Sequence, residues 1–75
     1  MITELDCRGL RCPLPIIELA KALPEIDVGG MVAVVSTDLA AAVDVPAWCR
    51  MRAQEYVGQD TAQDGTPRYL VRRLS

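Results

Sequence analysis

Asp6-Cys7-Arg8-Gly9-Leu10-Arg11-Cys12-Pro13-Leu14-Pro15 joins a predicted strand to a predicted helix and sets a thiol at the join. Ile2 to Leu5 read as the strand. Gly9 lets the chain turn, since glycine takes φ of either sign. Pro13 suits the first helical position, where its missing N–H costs nothing and its φ is already helical. Pro15 fits the same first turn, whose N–H groups have no partner inside the helix. Beyond it, Ile16, Leu19, Ala20 and Leu23 recur at helical spacing, with Glu18 and Lys21 on other faces. The helix is expected over residues 13–23, and Pro24 ends it.

This arrangement makes Cys12 the expected N-cap, facing unpaired N–H groups and the positive end of the helix dipole. Such a setting lowers a thiol's pKa below the ordinary ~8.5. Arg8 and Arg11 add positive charge nearby. Most free cysteines are buried and inert. Cys12 departs from that rule because two prolines and two arginines, rather than core residues, surround it. It is the candidate nucleophile.

The remaining chain sets the limits. Seventy-five residues make one expected domain, spanning 1–75. Half the residues are hydrophobic, and phenylalanine is absent, so the core is expected to be aliphatic. A net charge of −2 argues against general nucleic-acid binding, which needs a basic surface. Met1 leads directly into residues carrying Glu4 and Asp6, so no secretory leader is read, and no apolar run approaches the ~20 residues of a membrane span. The expected location is the cytoplasm, with no membrane association. Cys7, Cys12 and Cys49 lack paired spacing and the chain has no histidine, so neither a zinc site nor a Cys-His hydrolase is supported. No metal or cofactor is expected.

Met31-Val32-Ala33-Val34-Val35 is an apolar, β-branched run that reads as a central strand. Asp38 can cap a short helical turn over the alanines that follow. Pro46 would clash with the carbonyl of Ala42 in a continuous helix. A fresh helix is therefore expected, with Asp44 as its N-cap, running to about Gln54. Val45, Trp48, Cys49 and Arg52 fall on one of its faces, with Trp48 as anchor and Cys49 buried. Glu55 to Ala62 reads as a strand near an edge, weakened by Gly58. Asp64-Gly65 signals a hairpin into a last strand over Arg68 to Leu74, with Tyr69 and Val71 on one face and Leu70 on the other. The order βαβαββ predicts an α+β, two-layer sandwich: a four-stranded mixed sheet with two helices on one face. A parallel crossover joins the first two strands.

The run from Gly9 to Pro15 resembles the Cys-Pro-x-Pro signature of the TusA/SirA-like sulfur-carrier family. Gly29-Gly30, Ser36-Thr37-Asp38, Asp44-Val45-Pro46-Ala47-Trp48 and Arg68 to Arg73 are similar to later blocks of that family, in order and without large gaps. The resemblance implies the same sandwich and a sulfurtransferase-type carrier. Cys12 would accept sulfane sulfur as a persulfide from a cysteine desulfurase or another donor protein, and pass it to an acceptor protein. Thiolation of tRNA, sulfur oxidation and cofactor biosynthesis are all open as the pathway. Gly9, Pro13 and Pro15 would position the thiol. Arg8, Arg11, Asp38 and Asp44 would tune it or dock partners, although the arginines also read as solvated loop charges and the aspartates as caps. Arg68, Arg72 and Arg73 read as a basic strip or a solvated strand face. A monomer is expected.

Two competing functions stand beside the carrier. Cys7, five residues from Cys12, could close a redox-switch disulfide if the Cα atoms come within ~7 Å. A regulatory binding module on the same fold would use no sulfur chemistry at all.

Overall fold

The computed structural model describes residues 2–75. Its first strand, β1 (Ile2–Cys7), runs two residues past the expected Leu5. Side chains alternate along a strand, so Thr3, Leu5 and Cys7 share a face. Leu5 packs against the core and Cys7 is sealed within it, at 1% exposure. The strand continues because Cys7 is a core residue rather than a loop residue. Arg8 and Gly9 then turn the chain: Leu10 N–H bonds the carbonyl of Cys7, and Gly9 sits at φ +79°, where a side chain would be strained.

Helix α1 (Leu14–Ala22) begins one residue later than expected, with Pro13 rather than Cys12 at its cap. The Cys12–Pro13 peptide is cis. Pro15, Leu19 and Leu23 are buried at i, i+4, i+8, and Ile16 packs against the same core. A short 3₁₀ turn, Leu23–Glu25, takes up Pro24 and closes the helix. Gly29 and Gly30 lead into β2 (Met31–Ser36), whose Val32 to Ser36 are buried on both faces.

Helix α2 (Ala41–Arg52) is continuous through Pro46, which corrects the expected break and fresh start. Asp44 therefore lies inside the helix and caps nothing. Ala40 is the N-cap and no side chain caps it; Asp38 closes the turn ahead of the helix, its Oδ1 accepting the Ala40 N–H at 3.0 Å. Proline at position 46 removes the bond that the Ala42 carbonyl would receive. Ala42 is exposed, so water can reach that carbonyl. Ala41, Val45 and Cys49 meanwhile bury three successive turns against the sheet. Trp48 is only half-buried; it packs on the core's rim, with the Arg52 guanidinium 5.9 Å from its ring centre. Pro46→Ala is expected to stabilise the fold by roughly 2 kcal/mol, from a helix penalty of about 3 less about 0.4–1 for the looser unfolded chain. Chemical denaturation would show this as a higher midpoint at unchanged slope; an unchanged midpoint would mean the helix has already absorbed the proline.

Strands β3 (Glu55–Thr61) and β4 (Pro67–Arg72) form the expected hairpin, with Gly65 at φ +85° in the turn and a bulge between Tyr56 and Gly58. The sheet order is β1-β2-β4-β3, parallel between β1 and β2 and antiparallel elsewhere. Both helices cover one face, where Leu19, Val45 and Cys49 meet Val32, Val34, Tyr69 and Val71. The other face carries ion pairs. Arg68 reaches Glu4 at 2.8 Å and Asp60 at 2.9 Å, lying over the strand that holds Val35. Arg72 pairs with Glu55 at 3.0 Å, and Arg73 donates to the carbonyls of Pro24 and Ile26. The three arginines are thus engaged within the fold, which favours the solvated-face reading over a free basic strip.

Candidate functional site

Cys12 stands exposed in the β1–α1 connection, at the end of the sheet from which both helices start. Two aspartates hold it. Its backbone N–H donates to Asp38 Oδ2 at 2.7 Å, and its Sγ donates to Asp44 Oδ2 at 3.0 Å. Asp38 uses its other oxygen to accept the N–H of Ala40, the residue before α2, so one carboxylate ties the thiol's loop to the turn that leads into the second helix. Gly9 N–H donates to Thr37 Oγ1 at 3.0 Å, fixing the same loop from the other side. Asp38 lies well placed for this, because Ser36 Oγ receives its N–H.

The first-turn N–H groups of α1 are not free for the thiol as expected. Pro13 and Pro15 carry no N–H. Leu14 N–H goes to the carbonyl of Arg11, and the N–H groups of Ile16 and Ile17 go to the carbonyl of Pro13. Those bonds use the donors of the first turn, and the atom facing Sγ is a carboxylate oxygen. Arg8 is also spoken for: it binds Asp6 at 2.9 Å and Asp64 at 3.0 Å, and in return Asp64 is held down to about 2. Arg11 acts on Asp38, whose carboxyl is lowered chiefly by the Ala40 and Cys12 N–H groups. The outcome reverses the sequence expectation. The Cys12 thiol is pushed above its ordinary value, first by its hydrogen bond to Asp44, then by partial desolvation and the charges of Asp44 and Asp38.

The other cysteines are out of reach. Cys49 is buried at 1% exposure, and burial pushes its thiol up to about 11. Cys7 lies in the core, its thiol raised by burial and by the charges of Glu18 and Asp6. All three are free thiols. Among the expected positioning residues, Pro15 is buried and anchors the first turn, while Pro13 is exposed beside the thiol. Sequence reading placed Thr37 in a family-like block and Asp64 in a hairpin but gave neither a part in the thiol's loop, since their partners lie 28 and 56 residues away. It also missed an apolar rim at this end of the molecule. Leu39 is 83% and Val43 70% exposed, with Leu14 and Ile17 about half that. A shallow depression lined by Gly9, Leu10, Arg11, Thr37, Asp38 and Leu39 adjoins the thiol's loop. Among the described residues, no group of three or more His, Cys, Asp or Glu is placed to hold a metal ion, and no helix is long and apolar enough to cross a membrane.

A two-layer α/β fold that buries two cysteines and presents the third at its helix-start end defines a thiol-presenting protein. The family model described as sulfurtransferase TusA matches residues 3–73, and the chain belongs to this family. It is 35% identical over 72 residues to the sulfur carrier protein TusA of Pseudomonas syringae, covering 96% of this chain and 84% of that one. A candidate sulfur carrier protein of Archaeoglobus fulgidus is 35% identical over 69 residues, covering 92% and 90%. The crystal structure of a SirA-like protein from Desulfitobacterium hafniense superimposes over 100% of both chains with a TM-score of 0.81; at 22% identity, what it shares is the fold.

Proposed function

We propose that the protein is a sulfur carrier that holds sulfane sulfur as a persulfide on Cys12. The observation that carries this reading is the selective exposure of one thiol in three, at the end of the molecule where the first turns of α1 and α2 also expose Leu14, Ile17 and Val43. In loading, the Cys12 thiolate attacks the outer sulfur of a donor persulfide. A bond forms between Sγ and that sulfur, the donor's S–S bond breaks, and the donor cysteine leaves as a thiolate. The sulfur moves without net oxidation, so no outside oxidant enters. Delivery repeats the step, with an acceptor nucleophile attacking the terminal sulfur.

The donor is a cysteine desulfurase or another persulfide-bearing protein, and the acceptor a protein of a sulfur relay in the cytoplasm. The shallow surface near Cys12 suits a protein face better than an enclosed small substrate, and the apolar rim of Leu39, Val43, Leu14 and Ile17 would meet it. Gly9, Pro13 and Pro15 shape the loop that presents the thiol. The redox-switch alternative loses support from the burial of Cys7. The test is incubation with a cysteine desulfurase and cysteine, followed by intact and peptide mass spectrometry. One added sulfur atom on the Cys12 peptide, removed by a reducing thiol, is the expected result. Sulfur on Cys7 or Cys49 instead would overturn the assignment, and no added sulfur would favour a binding module.

A further inference from the structure

We propose that Asp44 is a positioning residue that restrains Cys12: its carboxylate accepts the thiol hydrogen, holds Sγ against the first turns of α2, and disfavours loading by small anionic sulfur donors. The contact spans 32 residues of sequence at 3.0 Å and joins the β1–α1 loop to α2. Thiolate, not thiol, attacks a sulfane sulfur, so the proton must first leave for solvent. A carboxylate beside Sγ opposes that departure, because it gives up a hydrogen bond and gains a like-charged neighbour. The charged groups facing the thiol explain why nothing offsets it. Asp38 adds a second negative charge from the β2–α2 connection. Arg11, on the thiol's own loop, acts on Asp38, while Arg8 is bound to Asp6 and Asp64. From α1, Glu18 acts on Cys7.

Two consequences follow for the carrier reading, which this inference deepens and on which its meaning rests. In the free protein the thiol proton is held on Cys12 by its bond to Asp44. A polysulfide or another small persulfide, itself anionic, meets two carboxylates at the point of attack. A protein donor, whose persulfide is anionic too, can offset that repulsion through contacts with exposed Leu39 and Val43 that a small ion cannot make.

The test needs no sulfur loading, so its failure is distinct from failure of the carrier reading. Alkylation of Cys12 is followed by peptide mass mapping across pH, with neutral iodoacetamide and anionic iodoacetate, in wild type and Asp44→Asn. The variant keeps the side chain's size and loses its charge. Its alkylation midpoint is expected at lower pH, with a severalfold faster iodoacetamide reaction at pH 7. Iodoacetate should gain more than iodoacetamide, raising the ratio of the two rates. A general loosening of the loop would speed both probes alike. An unchanged midpoint or an unchanged ratio overturns the proposal. Should the variant fold poorly, added salt on the wild-type protein gives a second comparison: the ratio of iodoacetate to iodoacetamide rates should rise with salt more for Cys12 than for a small neutral thiol such as 2-mercaptoethanol, and an equal rise would refute the restraint.

Discussion

Cys12→Ser is expected to abolish persulfide loading while leaving the fold intact. Serine keeps the size and a hydrogen-bond donor for Asp44, but its oxygen cannot carry sulfane sulfur. Cys12 is exposed, and substitutions at such sites usually change stability by no more than about 0.5 kcal/mol. The remaining thiols offer no substitute, since Cys7 and Cys49 are each 1% exposed. The informative partner variant is Cys7→Ser. It should load normally yet melt lower, because a hydroxyl replaces a thiol inside the core. Persulfide measured over time in both variants, with circular dichroism melts alongside, checks the pair. Loading that survives in Cys12→Ser would remove the carrier assignment at its centre.

The architecture was largely legible because it rests on local signals that tertiary packing reinforces. The apolar run from Met31 to Val35 reads as a central strand, and it lies between β1 and β4. Asp64-Gly65 reads as a hairpin, and Gly65 takes the positive φ. Tyr69 and Val71 share the core face as period-two alternation requires. Misreadings arose where distant residues decide. Pro46 marks a break by local rules, yet Ala41, Val45 and Cys49 hold the helix together through the sheet beneath. The environment of Cys12 was read from its neighbours in sequence, two arginines and a helix start. Its neighbours in space are carboxylates brought from 26 and 32 residues away. Nothing along the chain between Gly9 and Pro15 shows that Arg8 is taken by Asp64.

That reversal changes where activation must arise. A thiol pushed up by its hydrogen bond to Asp44 and by the charges of Asp44 and Asp38 loses the advantage its two neighbouring arginines promised, and a partner's groups become the place to look for activation. Asp38 serves both ends of this arrangement, holding the Ala40 N–H in the turn before α2 with one oxygen and the Cys12 N–H with the other. The position of the thiol is therefore coupled to how α1 and α2 seat on the sheet.

Leu19 is the residue on which the seating of α1 most depends, and Leu19→Ala is expected to cost about 2–5 kcal/mol. Its side chain is 0% exposed, within the cluster that joins α1 to Val32, Val34 and Val45. At about 0.05–0.15 kcal/mol per residue, a chain of this length holds only roughly 4–11 kcal/mol in total. One cavity under α1 would remove a large share of that. Ile17→Ala is the control: Ile17 is 41% exposed on the same helix, so it leaves little cavity and should cost well under half as much. Urea denaturation of both variants, read as midpoint at constant slope, makes the comparison. A Leu19→Ala protein no less stable than Ile17→Ala would mean that α1 is held by its ends, through Pro15 and Leu23, rather than by its centre. If the centre holds it, conditions that leave Leu19→Ala folded should still loosen the Cys12 loop, and alkylation of Cys12 should depend less on Asp44 as the 3.0 Å contact between them is lost.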